Sequence, residues 1–412
     1  MQQYDMNRIV LIGNGFDLAH GLKTSYQDFI EWYWDKRVSS LISIRGKVSE
    51  DILCKLTILG ESAWSTFYWL NNSPIRNTKG SDIIQAIREK TDSYKVEDSP
   101  FFKSIIQSIN TKKWVDIEEE YYKLLTQYAF EENAQNKLIT LNNQLKYIQD
   151  LLVEYLTTIN DKELSKQSFI YSKIYSPINI KDIAVGSVEI LKQYVEQCVE
   201  RDEKWINNKI HGYGAAEHAF PEDHSKIKES FEKHNNVLEV EIPRPYLLPH
   251  SVLLLNFNYT HTVQLYHNNK LGVVTNIHGS IEEPQSVIFG YGDELDERYN
   301  KIKETDNDEC RRNIKSIKYL ESANYRDVLS FMESAPYQIY IMGHSCGKSD
   351  RTLLNTLFEH KNCISIKPFY YKKEDGTDNY LELAQNISRN FKDMKLMRDR
   401  VVNKTYCETI TP

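Results

Sequence analysis

Three short segments carry residue types suited to nucleotide chemistry: Asn256-Phe257-Asn258-Tyr259-Thr260, Asn276-Ile277-His278-Gly279-Ser280 and Gly343-His344-Ser345-Cys346-Gly347-Lys348-Ser349-Asp350. Between them they supply an amide, an imidazole and a hydroxyl. A side-chain amide can orient a water or a sugar hydroxyl, and an imidazole with an ordinary pKa of about 6.5 can take a proton from either at neutral pH. A fourth segment, Arg8-Ile9-Val10-Leu11-Ile12-Gly13-Asn14-Gly15-Phe16-Asp17-Leu18-Ala19-His20-Gly21, passes from apolar residues into Gly-x-Gly, with a third glycine at the ninth position of the turn. Gly13 permits a sharp exit from a strand, Gly15 lets the backbone come close to a ligand, and the orphan N–H groups of the next helix favour a diphosphate.

These segments do chemistry together only if strands of one sheet deliver them to one edge. Apolar runs predict strands at 8–13, 251–256, 273–277, 286–289, 338–342 and 363–367, and Ser251-Val252-Leu253-Leu254-Leu255-Asn256-Phe257 has the unbroken apolarity of a strand buried on both faces. Apolar spacing of three and four predicts helices at 26–34, 82–89, 101–109, 116–130, 135–159, 182–209, 349–360 and 380–393, with no strand between about 80 and 235. The alternation implies an α/β fold with a doubly wound, mostly parallel sheet of Rossmann type and a large all-helical insertion. The expected division is 1–79 and 241–412 for the two parts of the nucleotide-binding domain, with 80–240 as the insertion. A ligand of such a sheet sits at the carboxyl ends of its strands, where all four segments fall.

The wording Ile-Gly-Asn-Gly-Phe-Asp-Leu-Ala-His-Gly-Leu-Lys-Thr-Ser-Tyr-x-x-Phe, Phe-Asn-Tyr-Thr, Ile-His-Gly-Ser, Ile-Phe-Gly-Tyr-Gly and Gly-His-Ser-x-Gly-Lys-Ser-Asp resembles the bacteriophage abortive infection AbiH family from residue 8 to about 360. The order of glycine loop, asparagine turn, His-Gly and strand-Gly-x-Ser also resembles the Sir2-like fold. That resemblance implies NAD as substrate, with Asn258 and His278 as catalytic residues: the amide orients water, and the imidazole is the general base toward water or a ribose hydroxyl. It implies that Gly13, Asn14 and Gly15 hold the diphosphate, with Gly343 and Ser345 on a phosphate or ribose. Phe16, Asp17, Gly21, Tyr26, Thr260 and His344 complete the expected nucleotide contacts. Asp17 replaces the sirtuin serine, and a carboxylate beside a diphosphate is repulsive, so Asp17 is expected to cap the helix or accept from ribose hydroxyls. Sirtuin zinc cysteines are absent, and Thr260 stands where their Asn-x-Asp ends, which disfavours protein deacetylation and leaves NAD hydrolysis.

Other readings compete at the same residues. His278 can be a core histidine, Asn258 a left-handed turn residue, and Ser345, Lys348, Ser349 and Asp350 caps of the helix at 349–360. Gly343-His344-Ser345-Cys346-Gly347 also has the form of a nucleophile elbow, but the later histidine a serine hydrolase needs is His360, on the helix that elbow would open. His20, His261 and His344 lie near the crevice without a partner visible in the sequence. Trp114-Val115-Asp116-Ile117-Glu118-Glu119-Glu120-Tyr121-Tyr122 is best read as a helix start capped by Asp116, with a lid over the crevice or a magnesium-binding nuclease site as alternatives. A non-catalytic nucleotide sensor or partner-binding module would keep the glycine loop and not need Asn258 or His278.

Composition limits the rest. The chain has 412 residues, 12% of them aromatic, and a net charge of -7, which offers no general attraction to nucleic acid. Its six cysteines, at 54, 198, 310, 346, 363 and 407, have neither zinc-site nor disulfide-framework spacing and are expected to be reduced thiols. No structural metal is expected. With no leader and no long apolar run, a cytoplasmic protein is expected, acting as a homo-oligomer that answers to a phage-derived trigger or partner protein.

Overall fold

The computed structural model describes residues 5–44, 48–59, 79–112, 116–160, 164–207, 225–227, 229 and 242–411. Its strands are β1 (Asn7–Ile12), β2 (Val48–Glu50), β3 (Cys54–Ile58), β4 (Tyr94–Asp98), β5 (Val252–Asn256), β6 (Gly272–Asn276), β7 (Tyr337–Met342) and β8 (Cys363–Phe369). The chain divides into two compact units. The first is Met1–His20 with Glu163–Ser280 and Tyr319–Pro412; the second is Gly21–Lys162 with Ile281–Lys318.

In the first unit five strands pair in parallel in the order β6-β5-β1-β7-β8. Chain connections leave β1 toward β5 and leave β7 toward β8, so the carboxyl ends of β1 and β7 flank the switch point of a doubly wound sheet. β1, β5 and β7 are buried along their whole length, as central parallel strands are when both faces are covered. Alternate residues Val10, Ile12, Val252, Leu254, Tyr340, Met342 and Phe369 share one core cluster with Ile170 and Ile174 of the helix Ser168–Ile174. Toward the other end of these strands the arrangement turns polar. The buried Arg8 guanidinium donates to the carbonyls of Ile174 and Ser176, both at 2.8 Å, and to Gln338 Oε1 at 3.1 Å. Gln338 in turn donates to Ser365, and Lys367 pairs with Asp182 at 2.9 Å. The helix Val188–Asn207 adds Leu191, Val195 and Val199 to a second cluster with Met6 and Ile364.

The second unit holds the helices Tyr26–Ile44, Gly80–Glu89, Pro100–Lys112, Ile117–Tyr128 and Gln135–Asn160, and an antiparallel sheet in the order β2-β3-β4. Tyr33 and Trp34 meet Phe102 edge-on, with centroids 5.0 and 5.3 Å apart.

The local expectations hold for most elements, and three departures bear on the architecture. β4 lies in the stretch read as helical only, because its alternation of Tyr94 and Val96 with charged residues is too short to stand out. The strand expected at 286–289 is absent. Pro284–Ser286 forms a 3-10 turn and the Val287 carbonyl accepts from Gln149, while Gly290 lies so close to Asn313 that a Cβ would sit 2.1 Å from its carbonyl oxygen. The helix expected from 182 begins at Val188, after two 3-10 turns. The compact units are also cut differently from the expected segments: residues 80–162 group with 21–59 and 281–318, whereas Val188–Asn207 belongs with the parallel sheet. Among the described residues no helix is long and apolar enough to cross a membrane.

Candidate functional site

At the switch point, the turn after β1 and the turn after β7 pack backbone on backbone. Gly13 N donates to Met342 O at 3.3 Å, Gly15 N to Gly343 O at 2.8 Å and Phe16 N to Gly13 O at 2.8 Å. A Cβ on Gly13 would lie 2.5 Å from His344 Cα, and one on Gly15 would lie 2.9 Å from Gly343 Cα. Gly343, at φ +78°, has room for none, since its Cβ would meet Phe16 N at 2.0 Å. The glycines therefore allow the two loops to pack backbone on backbone. The N–H groups of Gly13, Gly15 and Phe16 are bonded within the protein rather than offered to a diphosphate. Asn14 is exposed beside them. The helix they open, Asn14–Ala19, is short. The Phe16 ring is wholly buried, 4.8 Å from the ring of His20 and 5.1 Å from that of Tyr266, so its side chain belongs to the core. His20 has the partner the sequence did not reveal: Nδ1 meets Phe16 O at 2.7 Å and Nε2 meets Tyr266 Oη at 2.6 Å, and burial lowers its pKa.

The asparagine turn reaches this point from β5. Phe257 N donates to Ile12 O at 2.9 Å, and Asn256 folds its side chain back on the turn, accepting from Asn258 N at 3.1 Å and donating to Asn276 Oδ1 at 2.9 Å. Asn258 Nδ2 then donates to Gly13 O at 3.0 Å. Its φ is not positive, since among the described non-glycine residues only Asn133 and Cys346 have positive φ; the left-handed turn is thus excluded. Thr260 donates to Asp17 Oδ2 at 2.6 Å. Asp17 neither caps the helix nor faces solvent: Gly13 is the N-cap, Asp17 is 1% exposed, and its Oδ1 has no hydrogen-bond partner. Burial pushes its pKa up to about 6, against the favourable hydrogen bond from Thr260.

Two imidazoles from different strand ends meet one carboxylate. His278, beyond β6, places Nε2 3.2 Å from Asp350 Oδ1, and His344, beyond β7, places Nε2 3.5 Å from Asp350 Oδ2. All three are buried. Tyr319 Oη lies 3.2 Å from His278 Nε2, and the Phe257 ring packs on both imidazoles, with centroids 5.3 Å from His278 and 4.1 Å from His344. Asp350 makes no side-chain cap to the helix Arg351–Glu359, so the expectation of a capping aspartate fails: its carboxylate serves the imidazoles. Asp350 and Tyr319 were missed as site residues. Ser-Asp before an apolar helix is a capping signal, and nothing local reports a histidine arriving from another strand.

Ser345 is exposed, with its carbonyl accepting from Asn386 at 2.9 Å. A serine nucleophile there lacks elbow geometry, because positive φ falls on Cys346 instead, and His360 is bonded to Glu333 at 3.0 Å. Gly21 and Tyr26 belong to the second unit, where the Tyr26 ring lies 6.5 Å from Phe289. Asp116 caps its helix by accepting from Glu119 N at 2.9 Å, as the sequence indicated. Glu118 is spent inside the second unit on Gly290 N at 3.0 Å and on the buried Lys315 at 3.1 Å. Trp114 lies outside the described residues. Among the described residues, no group of three or more His, Cys, Asp or Glu is placed to hold a metal ion.

The model of the family described as bacteriophage abortive infection AbiH matches residues 9–371, spanning the glycine turn, the asparagine turn, His278 and the Asp350 loop. The chain belongs to the AbiH family. That membership assigns it to phage abortive infection. No curated protein and no solved structure matches this AbiH chain.

Proposed function

We propose that this AbiH protein acts in abortive infection by hydrolysing NAD, or a related nucleotide, at the N-glycosidic bond. The observation that carries the reading is the meeting of Asn258 with the Gly13 turn and of His278 with Asp350 around the switch point of one parallel sheet. In the reaction, water attacks C1′ of the nicotinamide ribose, and the C1′–N bond breaks with its electron pair going to the pyridinium ring. The water proton passes to His278. The products are nicotinamide and ADP-ribose, and neither a peptide groove nor a second substrate is needed. Asn258 orients the water or the ribose, a role for which a neutral amide that donates and accepts is suited.

Purified protein incubated with NAD, in the presence of phage lysate, is expected to release nicotinamide and ADP-ribose in equal amounts. Asn258→Ala and His278→Gln are expected to abolish release while remaining folded. No release by the wild type in lysate that triggers protection would overturn the reading.

A second reading has its own support. The N–H groups at Gly13, Gly15 and Phe16 are already bonded, as expected of a non-catalytic module whose glycine turn is a packing device. Such a module would protect cells equally well with Asn258→Ala or His278→Gln.

A further inference from the structure

The helix Tyr380–Arg389 lies beyond residue 371, where the family match ends, yet its carboxyl end reaches the loop that follows β7. Asn386 Nδ2 donates to Ser345 O at 2.9 Å, and Asn390 Nδ2, from the C-cap position, donates to Cys346 O at 2.9 Å. Two amides four residues apart thus hold two consecutive carbonyls of one loop. Asn390 is 1% exposed, and its Nδ2 also donates to Asn386 O at 2.8 Å, so both amide protons are used, while among the described residues its amide oxygen has no hydrogen-bond partner. Turning the amide round would set that oxygen against two carbonyl oxygens, so the buried group is committed to donation. The residue it holds is strained. Cys346 has φ +55°, a left-handed conformation in which the Cβ of any residue but glycine crowds its own backbone, and such strain persists only where surrounding contacts impose it. In that conformation Cys346 N donates to His344 Nδ1 at 3.0 Å, which leaves this nitrogen unprotonated and fixes the imidazole against the loop. The same loop supplies Gly343 O to Gly15 N at 2.8 Å, next to the Gly13 carbonyl that receives Asn258.

We propose that Asn386 and Asn390 are positioning residues that clamp the loop 343–347 in the conformation that sets the His344 imidazole and holds the turn after β7 against the glycine turn. The clamp is independent of any substrate; its consequence for catalysis rests on the NAD reading above. Without it Cys346 relaxes toward negative φ, its N–H leaves His344 Nδ1, and the imidazole takes up a mixture of Nδ1–H and Nε2–H forms.

The test is long-range proton–nitrogen NMR of the full-length chain labelled with 15N-histidine, with the His344 signals assigned from their loss in His344→Gln. Wild-type His344 is expected to show an unprotonated Nδ1 at neutral pH. Asn390→Ala should shift its signals toward the mixed forms, and Asn386→Ala, at a partly exposed position, should shift them less and in the same direction. Asn355→Ala is the control: Asn355 Nδ2 donates to Asn390 O at 2.9 Å, so this variant loosens the same helix end without removing either clamping amide and should leave His344 unchanged. A wild-type ring in the Nδ1–H form would overturn the proposal, and so would unchanged His344 signals in a folded Asn390→Ala protein. If Asn390→Ala does not fold, unchanged signals in Asn386→Ala overturn it instead. A shift in Asn355→Ala as large as that of the clamp variants would assign the effect to helix placement and also overturn it. If the chain cleaves NAD, Asn390→Ala should lower kcat about tenfold or more with KM near its wild-type value, as a misplaced reacting group does, while Asn355→Ala keeps wild-type kcat. A chain that leaves NAD intact refutes the substrate and leaves the His344 signals to decide the clamp.

Discussion

Asn258 Nδ2 donates to the carbonyl oxygen of Gly13 at 3.0 Å, joining two turns 245 residues apart in sequence at neighbouring strand ends. One neutral hydrogen bond of this kind contributes about 1 kcal/mol. Asn258→Ala should therefore lower stability by about that amount in a denaturant titration, far too little to unfold the chain, while removing nicotinamide release. Loss of activity together with the folded state would show instead that Asn258 is a structural residue.

Two of the positive-φ glycines, Gly21 and Gly343, should respond unequally to alanine. Gly343 has φ +78° and a backbone nitrogen 2.0 Å from a would-be Cβ, whereas Gly21 has φ +77° and open space around it. Gly21→Ala should cost about 1–2 kcal/mol, the penalty for a left-handed alanine. Gly343→Ala adds a clash with the Phe16 backbone and should leave little folded protein. Thermal melting of the pair checks this, and equal effects would mean that the turns after β1 and β7 separate readily.

Asp17 supplies a pH dependence whose sign is fixed. Its folded pKa of about 6 lies above the ordinary aspartate value of 3.8, so the stability tied to its protonation is complete below 3.8 and is lost as pH rises through 6. The difference amounts to about 3 kcal/mol, and Asp17→Asn, which keeps an acceptor for Thr260, should recover much of it at pH values above 6. The wild type and the variant should converge at low pH. Parallel stability–pH curves would contradict the burial of this carboxylate.

Glu118 and Lys315 are both buried and 3.1 Å apart in the second unit. Lys315→Met leaves the carboxylate uncompensated and should cost about 3–5 kcal/mol, while the Glu118→Gln/Lys315→Met double variant should regain most of it. A double-mutant cycle with no coupling would show the pair to be solvated.

The parallel sheet was legible because β1, β5 and β7 are buried on both faces and read as apolar runs whose polar members are Asn7, Arg8, Asn256 and Gln338, with Arg8 and Gln338 bonding each other. The antiparallel sheet was not, since β3 and β4 have five residues each and alternate polar with apolar like many loops. At the site, the convergence of Asn258 with the glycine turn followed from strand ends alone. The true need for glycine at 13 and 15 did not, because a Cβ contact with Gly343 and His344 is a property of the assembled sheet. Asp350 shows the same limit: its sequence context gives a cap, and only tertiary packing brings the two imidazoles that claim it.

The central claim is nucleotide destruction during infection, and the NAD content of infected cells tests it most directly. Cells carrying the wild-type chain should lose most of their NAD after phage entry, with ADP-ribose and nicotinamide rising together, whereas cells carrying His278→Gln should keep their NAD and lose protection. Full protection with NAD undiminished would contradict the account.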